Sequence, residues 1–579
     1  MNNKNLSNEI ASLKNKIKRL NKENKSLKNN FFNFQEFLTK SYISPRFNAP
    51  FSNEEKQAFV FMDYLSEYLR NIPLNNDYHP LVSVIMPTFN RRTSIEYALT
   101  SVLTQTYDNF ELLIIDDGST DGTVEFLNTI PDERLKILSH GENKGCSFSR
   151  NYGLKNAKGD IIMYLDSDNT WDPRYIEAMV GAFFELPDAD ALYCGQYLIR
   201  NFSSEHPFGV RFCSFNKLLL HNHNFIDLNC FCHKKEIIND IGAFDETLWR
   251  LVDWDLILRI SNTLKIYSVP VLLSNYYVHK FENRISNMEF DYEAACEILL
   301  NRNKIPHKEY NPLDKKVSII LPNHGSLNEL KTCLNSVFSC NLGDMADVIV
   351  IDINSNTEVV EYLLNLELEG KIKLILNCLN HGLDYTIKKG IIKSDSNSDL
   401  LFINTGTTLI KGAIEHMQKS AYDLPDCGLV VPHMMTTNEQ DVHDFQIPYA
   451  HPELESDSIP SLNHNNVKNL PIFHDGGTLE LNFAPLFGTY IKREIYNKII
   501  SLNPNLNIHK FFDYTFSDII NYMLNLKIYQ IPDAYIYQKY VDMSMFEVSE
   551  KELNYIYNND ELKNNPTQKL NHKYPLWDF

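Results

Sequence analysis

The feature that most constrains the fold is an alternation of short apolar runs with amphipathic segments, which begins at Val82. The runs VSVIMP, FELLIID, LKILSH and IIMYLD have the length and character of buried strands, and IEYALTSVLTQ, TVEFLNTI and SFSRNYGLKNA have helical spacing. Strands that alternate with helices form a mostly parallel sheet covered by those helices. The sequence therefore predicts an α/β fold, in which ligands bind beyond the carboxyl ends of the strands.

The same series of segments occurs again about 235 residues further along the chain. VSVIMPTFN at Val82 corresponds to VSIILPNHG at Val317, LLIIDDGSTD to VIVIDINSNT, and IIMYLDSDNT to LLFINTGT. A long internal repeat of this kind indicates two copies of one domain. The predicted limits are 1–30 for a coiled coil, 31–78 for a helical connector, 79–300 and 301–540 for the two α/β copies, and 541–579 for a polar tail.

The coiled coil is predicted from a heptad seam near the N-terminus. The seam consists of Leu6, Ile10, Leu13, Ile17, Leu20, Asn24 and Leu27. A single Asn at an a position among Ile and Leu favours a parallel two-stranded coil, and hence a homodimer. The alternative is one amphipathic helix that packs on its own chain. In the connector, Ser52 and Glu55 predict the start of a helix and Pro73 its end.

Composition excludes several classes of protein. The net charge of −19 and the pI of about 5.4 argue against a nucleic-acid-binding surface. We find no run of about 18 apolar residues, as a membrane span requires, and no apolar core of a signal peptide at the start. The cysteines form no regular framework, and CFCH (Cys230 to His233) is too tightly spaced for a standard zinc site. We therefore expect buried thiols and a reducing cytoplasm.

Three acidic clusters fall where strands of the first copy should end. They are Asp116 with Asp117, Asp166 with Asp168, and Asp253 with Asp255. Because strand ends of a parallel sheet meet at one edge, these carboxylates should converge on one crevice. Paired hard oxygen ligands suit Mg²⁺ or Mn²⁺, which bridge proteins to phosphate oxygens. Neither a P-loop nor a G-x-G-x-x-G motif is present, so a metal would have to hold any phosphate.

These motifs carry a family resemblance. The segments VSVIMPTFNRRTSIEYALTSVLTQTYDNFELLIIDDGSTDGT, NKGCSFSRNYGLKNAKGDIIMYLDSDNTWDP and IGAFDETLWRLVDWDLILRI resemble family-2 glycosyltransferases of the GT-A fold, in order and over about residues 81–284. The family transfers a sugar from a nucleotide-sugar, usually a UDP-sugar, with inversion at the anomeric carbon. The resemblance thus implies two tandem GT-A domains, a nucleotide-sugar donor and a divalent metal.

The resemblance also implies roles for individual residues. Asp253 stands where the family has its catalytic base, although Val252 replaces the acidic residue that usually precedes it, and Asp255 would orient that segment or cap its helix. Asp168 would contact the metal, with Asp166 at the metal or the donor ribose and His279 as a further metal ligand. The implied nucleotide-sugar-binding residues are Pro87, Thr88, Phe89, Asn90, Asp117, Arg150, Asp166 and Ser167.

In the second copy several of these residues are replaced. Asp117 is replaced by Ile353 and Asp168 by Gly406, while Arg150 has no clear counterpart and Asp518 is the counterpart of Asp253. The apolar strand positions persist, so the fold should persist. We therefore expect a copy without catalytic activity that packs, positions the acceptor or mediates assembly. An unusual metal-independent transferase is the alternative.

Taken together, the sequence predicts an inverting, metal-dependent glycosyltransferase that builds a bacterial surface polysaccharide such as capsule or lipopolysaccharide. Its partners would be a UDP-sugar donor and a glycan or lipid-linked glycan acceptor, and it would work in the cytoplasm or on the cytoplasmic face of the inner membrane. The alternatives are a two-site polymerase that adds alternating sugars, a scaffold that binds nucleotide-sugars without catalysis, and a nucleotidyltransferase. The loops between about residues 195 and 229 would set the specificity.

Overall fold

The chain folds into two α/β units. The computed structural model describes residues 40–41, 53–204, 207–248, 250–278, 299, 302–303, 313–377, 382–437, 475–481, 484–502, 517 and 519–539. The two compact units are Met1–His307 with Glu439–Gly477, and Lys308–Asn438 with Thr478–Phe579. Four predicted features lie outside the described residues: the coiled coil, the polar tail, His279 and Asp518. No helix in the described part is long and apolar enough to cross a membrane.

The first unit follows the predicted alternation of strands and helices. A two-residue strand, Lys40–Ser41, comes before these elements in the chain. Its strands are β1 Val82–Thr88, β2 Phe110–Asp116, β3 Leu135–Ser139, β4 Ile161–Tyr164, β5 Thr170–Trp171, β6 Ala191–Ile199, β7 Gly209–Arg211, β8 Phe231–Lys234 and β9 Ile266–Tyr277. Its helices are α1 Asn53–Asn76, α2 Ile95–Leu103, α3 Thr123–Leu127, α4 Cys146–Asn156, α5 Tyr175–Glu185, α6 Lys217–Asn222, α7 Ile238–Ile241 and α8 Val252–Thr263, with 3₁₀ turns at Leu228–Cys230 and Lys235–Ile237.

The strands of the first unit form one sheet in the order β3-β2-β1-β4-β8-β6-β9-β5, with β7 added beside β6. The half made by β3, β2, β1 and β4 is parallel, as predicted. The other half is mixed, because β8 runs antiparallel to both β4 and β6. Since β1, β2 and β4 all point the same way, their carboxyl ends lie along one edge and bring the following loops together.

Helix α1 is longer than the sequence predicted. It continues through Pro73 to Asn76, so the prediction that Pro73 ends the helix is wrong. One face of α1 is buried in the hydrophobic core of the first unit, with Leu65 and Leu69 fully covered. Helix α5 lies so close that a Cβ on Gly181 would stand 2.0 Å from the carbonyl oxygen of Leu69. The helix that we predicted as a connector therefore packs as part of this unit.

The second unit repeats the same series of elements. Its strands are β10 Val317–Asn323, β11 Ala346–Ile353, β12 Lys373–Asn377, β13 Asp399–Phe402, β14 Thr407–Leu409, β15 Cys427–Thr437, β16 Leu479–Leu481, β17 Tyr490–Ile491 and β18 Lys527–Lys539. Its helices are α9 Leu327–Ser339, α10 Thr357–Leu368, α11 Leu383–Lys393, α12 Ala413–Asp423 and α13 Arg493–Leu502, with a 3₁₀ turn at Gly343–Met345 and a π-helical turn at Ile519–Met523.

The eight strands along the main path of each sheet match one for one, whereas the extra short strand differs, since β7 lies beside β6 and β16 beside β18. The order in the second unit is β12-β11-β10-β13-β17-β15-β18-β14, which is the order of the first unit transposed along the chain. The register matches as well, because Val82 lies opposite Ile161 and Val317 lies opposite Asp399. Side chains can therefore be compared position by position between the units. The prediction of one domain present twice, in two tandem GT-A-like copies, is confirmed.

A glycine in each unit shows how closely the two copies correspond. A Cβ on Gly153 in α4 would stand 2.7 Å from Ile85 and 2.9 Å from Ile115, and a Cβ on Gly390 in α11 would meet Ile351 and Ile320 at the same distances. In both units, therefore, this helix lies so close to the two central parallel strands that only a hydrogen fits between them. The contact fixes the position of α4, which carries Arg150.

Candidate active site

The first part of the site lies at the carboxyl ends of β1 and β2. Asp117 directly follows β2 and is 4% exposed. Its two carboxylate oxygens accept hydrogen bonds from the backbone N–H groups of Lys144 and Gly145, at 2.7 and 3.0 Å. Gly145 has a φ of 91°, which L-residues with side chains rarely adopt, and it directly precedes α4. Asp117 thus holds the loop that leads into the next helix of the site.

The loop after β1 is held against the loop after β2. The side-chain oxygen of Asn90, whose φ is 51°, accepts a hydrogen bond from the Thr120 N–H at 2.8 Å, and its own N–H donates to Ser119. Asp116 accepts hydrogen bonds from the N–H groups of Gly118 and Ser119, so its carboxylate shapes the turn. Polar side chains and not apolar packing therefore set the position of this loop.

Three of the predicted nucleotide-binding residues lie at this end of β1. Thr88 is buried, and its hydroxyl has no hydrogen-bond partner among the described residues. Phe89 and Pro87 are half-buried. A buried hydroxyl without a partner costs free energy unless a ligand or water supplies the bond. Thr88 is therefore available to a ligand in this crevice.

Helix α4 and the end of β4 are joined by an ion pair. Arg150 Nη2 donates a hydrogen bond to Asp166 Oδ1 at 2.8 Å, and the Arg150 side chain is 9% exposed. Burial would lower the pKa of Arg150, but the charges of Asp166, Cys146 and Asp253 raise it above its usual value. Arg150 is therefore a fixed cation in the crevice. Its Nε makes no hydrogen bond in the described part of the chain.

The second carboxylate of the D-x-D motif, Asp168, lies deeper than the first. Its side chain is 11% exposed, compared with 35% for Asp166, and Arg91 Nη2 lies 3.9 Å from its Oδ2. Ser167 between them is buried. Arg91, which comes from the loop after β1, is a cation that sequence reasoning did not select. The signal available in the sequence was its place directly after Asn90 in the PTFNRR segment.

The donor set fits a hard divalent cation only in part. Carboxylate oxygens are the ligands that Mg²⁺ and Mn²⁺ accept, and Asp168 supplies them in a nearly enclosed position. Asp166 is already engaged by Arg150 and by Asn229. Among the described residues, no group of three His, Cys, Asp or Glu side chains converges. A metal held here would therefore depend mainly on one carboxylate and on oxygens of a ligand.

A polar bridge that the sequence did not reveal lies beside Asp166. Asn229 accepts a hydrogen bond from the Asp166 N–H at 2.7 Å and donates to Asp166 Oδ2 at 3.3 Å and to Asp227 Oδ1 at 2.6 Å. Asp227 in turn accepts from Arg211 at 3.2 Å. Asn229 thus links the D-x-D segment to a second acid, through strand neighbours that are distant in sequence.

Asp253 lies half-buried in the first turn of α8, so the prediction that the cluster of Asp253 and Asp255 follows a strand is wrong. Burial and the charge of Asp227 raise the pKa of Asp253 above its ordinary value, against the opposing effects of Arg150 and of a hydrogen bond from Asn224. Leu251, the residue directly before α8, has a φ of 59°. This left-handed conformation is strained for leucine and recurs at functional sites. The helix that presents Asp253 therefore starts from a strained turn.

Asp255 has a structural position. It forms an ion pair with Arg259 at 2.8 Å, and Arg259 also donates to the carbonyl groups of Ile241 and Ala243. Arg259 thus joins α8 to the segment before it, and the role expected of Asp255, orienting the DWD segment or capping its helix, stays a prediction. The prediction of buried thiols is confirmed: Cys230 and Cys232 are buried in and beside β8, and the fully buried His233 lies 2.9 Å from the hydroxyl of Tyr164.

The same positions in the second unit lack this chemistry. The matching spans of α4 and α11 place Ile387 at the position of Arg150, which the sequence alone did not align, and Ile387 is fully buried. Ile353 stands for Asp117 and Gly406 for Asp168. Asn404 replaces Asp166 and accepts a hydrogen bond from Gln538 at 2.8 Å. At these four positions the second unit thus has neutral residues where the first has charged ones.

Comparison with known proteins agrees with the geometry of the first unit. The model of the family described as glycosyl transferase family 2 matches residues 83–230. An uncharacterised glycosyltransferase of Rickettsia typhi is 31% identical over 236 residues, which cover 39% of this chain and 74% of that protein. The Escherichia coli protein WfgD, a UDP-Glc:α-D-GlcNAc-diphosphoundecaprenol β-1,3-glucosyltransferase, is 39% identical over 124 residues, 21% of this chain and 44% of WfgD.

Two further facts qualify the extent of the match. The chain spans only about half, 54%, of the length of other rickettsial relatives. Among solved structures, Staphylococcus aureus TarS 1–349 in complex with UDP-GlcNAc is 21% identical, with a TM-score of 0.32, over 38% of this chain and 66% of that one. This structural overlap is too small to add to what the strand order already shows about the fold. On the family model and the Rickettsia typhi relative together, the chain belongs to glycosyltransferase family 2.

Proposed function

We propose that the first unit transfers a sugar from a UDP-sugar to a glycan acceptor with inversion at the anomeric carbon. The observation that carries this proposal is the meeting of Arg150, Asp166 and Asp253 in one crevice: Arg150 pairs with Asp166, and its charge acts on the pKa of Asp253. A fixed cation beside a carboxylate pair suits a diphosphate, and a nearby acid with a raised pKa suits proton transfer.

The nucleotide half of the donor would lie against the loops after β1 and β2. Phe89 offers an aromatic face to the base, Thr88 an unpartnered hydroxyl, and Asp117 carboxylate oxygens that can accept from a base N–H beside the backbone groups they already hold. Pro87 and Asn90 would line the same pocket. This assignment explains why polar side chains fix the loop so closely, since a preorganised pocket loses less entropy when the nucleotide binds.

The diphosphate would lie between Arg150 and the D-x-D segment. Arg150 would donate hydrogen bonds to phosphate oxygens through Nε and Nη1, while Nη2 keeps the pair with Asp166. Asp168 would hold Mg²⁺ or Mn²⁺, with Asp166, Ser167 or His279 contributing at its edge. When bound, the metal supplies positive charge that stabilises the departing diphosphate. Arg150 supplies such charge from the protein itself.

Asp253 would act as the base. Its carboxylate accepts the proton of the acceptor hydroxyl as that oxygen bonds to the anomeric carbon, while the bond from that carbon to the UDP oxygen breaks on the opposite face. The electron pair leaves with UDP, and one displacement inverts the configuration. Because burial and Asp227 raise the pKa of Asp253, the base is stronger than an exposed aspartate.

The acceptor is proposed to be a glycan, free or lipid-linked, in the synthesis of a bacterial surface polysaccharide. Support comes from the name of WfgD, whose acceptor is a lipid-linked sugar. The second unit would have no transferase activity and would position the acceptor or mediate assembly. We keep the cytoplasmic location, the association with the inner membrane and the dimeric coiled coil at 1–30 as predictions. Analytical ultracentrifugation of the full chain and of a chain without residues 1–30 tests the dimer.

The decisive experiment is a screen of UDP-sugars for hydrolysis and transfer, with Mn²⁺ or with Mg²⁺ and with a chelator. We expect one UDP-sugar to be consumed in a metal-dependent way, with UDP as the released nucleotide. Asp168→Ala should abolish turnover, and Gly406→Ala, its counterpart in the second unit, should leave turnover unchanged. Release of pyrophosphate would indicate a nucleotidyltransferase instead. Loss of one of two transferred sugars in Gly406→Ala would favour the two-site polymerase.

A further inference from the structure

A second concave site lies at the opposite edge of the first unit's sheet from the candidate active site. It is a cavity of about 720 Å³ where β4 begins and β8 ends, and Ile161 and Lys234, which are paired across these strands, both line it. The carboxyl end of β4, which leads to Asp166, lies at the other end of the strand. No residue of the crevice described above lines this cavity.

The lining of the cavity combines lysines with apolar side chains. Four lysines and two acids face it, which gives a local excess of positive charge in a chain of net charge −19. The lysines are Lys155, Lys158, Lys234 and Lys235, and the acids are Asp160 and Glu236. Apolar surface comes from Leu154, Phe183 and Ile238. This combination suits a ligand with an anionic group and an apolar part.

Two of the lysines are held in place by the fold. Lys234 Nζ donates to the carbonyl oxygen of Pro187 at 3.0 Å, and Lys235 Nζ donates to that of Ala157 at 2.7 Å. An ammonium group has three N–H donors, so each keeps donors for a ligand after this contact. Lys155 and Lys158 are exposed at the rim. The cavity therefore has preorganised cations at its wall and flexible ones at its mouth.

The second unit shows that the sheet does not require this arrangement. The matching registers place Asp399 at the position of Ile161 and Arg493 at that of Lys235. Asp399 is fully buried and accepts hydrogen bonds from the hydroxyls of Tyr422 and Tyr490 and from the Arg493 N–H. Where one copy of the fold has a lysine-lined cavity, the other therefore has a satisfied internal cluster.

We propose that this cavity binds a phosphate group carried on an apolar body, either the headgroup of an anionic membrane phospholipid or the phosphate of a lipid-linked glycan. The lysines would hold the phosphate oxygens, and Leu154, Phe183 and Ile238 would contact the first part of the apolar body. The site is separate from the donor crevice, and binding there does not depend on the chemistry proposed for that crevice.

The test uses the full-length protein and vesicles of phosphatidylcholine containing 30% phosphatidylglycerol, with inorganic pyrophosphate as the soluble probe. Lys155→Gln with Lys158→Gln should lower vesicle association roughly 25-fold, about fivefold for each lysine. The matched control is Lys419→Gln with Lys498→Gln, two exposed lysines of the second unit, which should change association little. Asp160→Asn should act in the opposite direction and strengthen association.

A binding competition distinguishes the two sources of the phosphate. Displacement of the protein from vesicles by a soluble lipid-linked sugar phosphate would identify the glycan carrier, and its failure to displace would identify the membrane phospholipid. Equal loss of vesicle association in the lysine pair and in its control would overturn the proposal. So would a protein that binds pyrophosphate but not the vesicles, or one that binds neither. UDP-sugar hydrolysis, measured in the same variants, should be unchanged, which separates this site from the active site.

Discussion

Arg150 Nη2 lies 2.8 Å from Asp166 Oδ1, so that a buried cation of helix α4 is paired with the first carboxylate of the D-x-D motif. In the second unit the same two positions are Ile387 and Asn404, which are both neutral. The cation and its carboxylate have thus been replaced together. Replacement of either alone would leave an unpaired charge near the core, which costs more than replacement of both.

The pairing of Arg150 with Asp166 predicts what happens when Arg150 is replaced by isoleucine, the residue at the same position of the second unit. Arg150→Ile should lower transfer about 10²- to 10³-fold, because it removes fixed positive charge from the site of the leaving diphosphate. Initial rates with saturating acceptor measure the effect. Arg134→Gln, which alters an ion pair with Asp132 far from the crevice, is the control and should retain its rate. An unchanged rate in Arg150→Ile would show that Arg150 does not contact the diphosphate.

Asp253 should control the acid limb of the pH profile. The base must be ionised, so kcat/KM should rise with pH through its pKa, which burial and Asp227 raise above the ordinary value of 3.8. Asp227→Asn removes one cause of the shift and should move that limb to lower pH. Asp253→Asn should lower kcat about 10²- to 10⁴-fold at every pH and leave UDP binding intact. A limb that does not move in Asp227→Asn would contradict the assignment.

The raised pKa of Asp253 also predicts that the Asp253→Asn variant, which loses activity, gains thermal stability. Because the pKa of Asp253 is higher in the folded chain, its ionised form destabilises the fold at pH values above that pKa. Asp253→Asn should therefore raise the melting temperature at pH 7.5. The difference in melting temperature between Asp253→Asn and the unmodified protein should shrink as the pH falls through the raised pKa. It should vanish below the pKa of Asp253 in the unfolded chain, since the carboxyl group is then neutral in both the folded and the unfolded state. Thermal scans at several pH values test this, and a lowered melting temperature at pH 7.5 would contradict it.

Thr88 should matter to binding and not to folding. Thr88→Val replaces a buried hydroxyl that has no partner in the described part of the chain by a methyl group of similar shape. Stability should stay the same or rise, while UDP affinity should fall about three- to tenfold if the nucleotide supplies the missing bond. Calorimetric titration with UDP and a thermal scan separate the two effects. Equal affinity in the variant would place the nucleotide away from Thr88.

The two close-packed glycines offer a matched pair of variants. Gly153→Ala and Gly390→Ala introduce a Cβ at the same 2.7 Å from an isoleucine side chain, so each should destabilise its own unit by about 1–3 kcal/mol. Denaturant unfolding measures the cost. At a temperature where both variants are folded, only Gly153→Ala should lower transfer, because α4 carries Arg150. An equal loss in Gly390→Ala would show that the second unit contributes to turnover.

The sequence by itself determined the repeated α/β fold and most of the residues of the candidate site. Strand lengths, helical spacing and the acids at strand ends are patterns of residues that are close together in the sequence. They can therefore be recognised without a structure. The same local reasoning failed at Pro73, because a proline near the end of a helix can be tolerated when the flanking turns are packed against a core.

Only the tertiary structure decided which charges are paired. Asn229 contacts Asp166 because β4 and β8 are neighbours in the sheet, and no sequence spacing indicates that contact. The register of the two sheets likewise identified Ile387 as the counterpart of Arg150. Pairing between distant residues depends on strand order and register, whereas strand and helix patterns depend on neighbours along the chain. The sequence therefore predicts the fold and the acidic residues of the candidate site, and the strand order and register determine which of those residues come together.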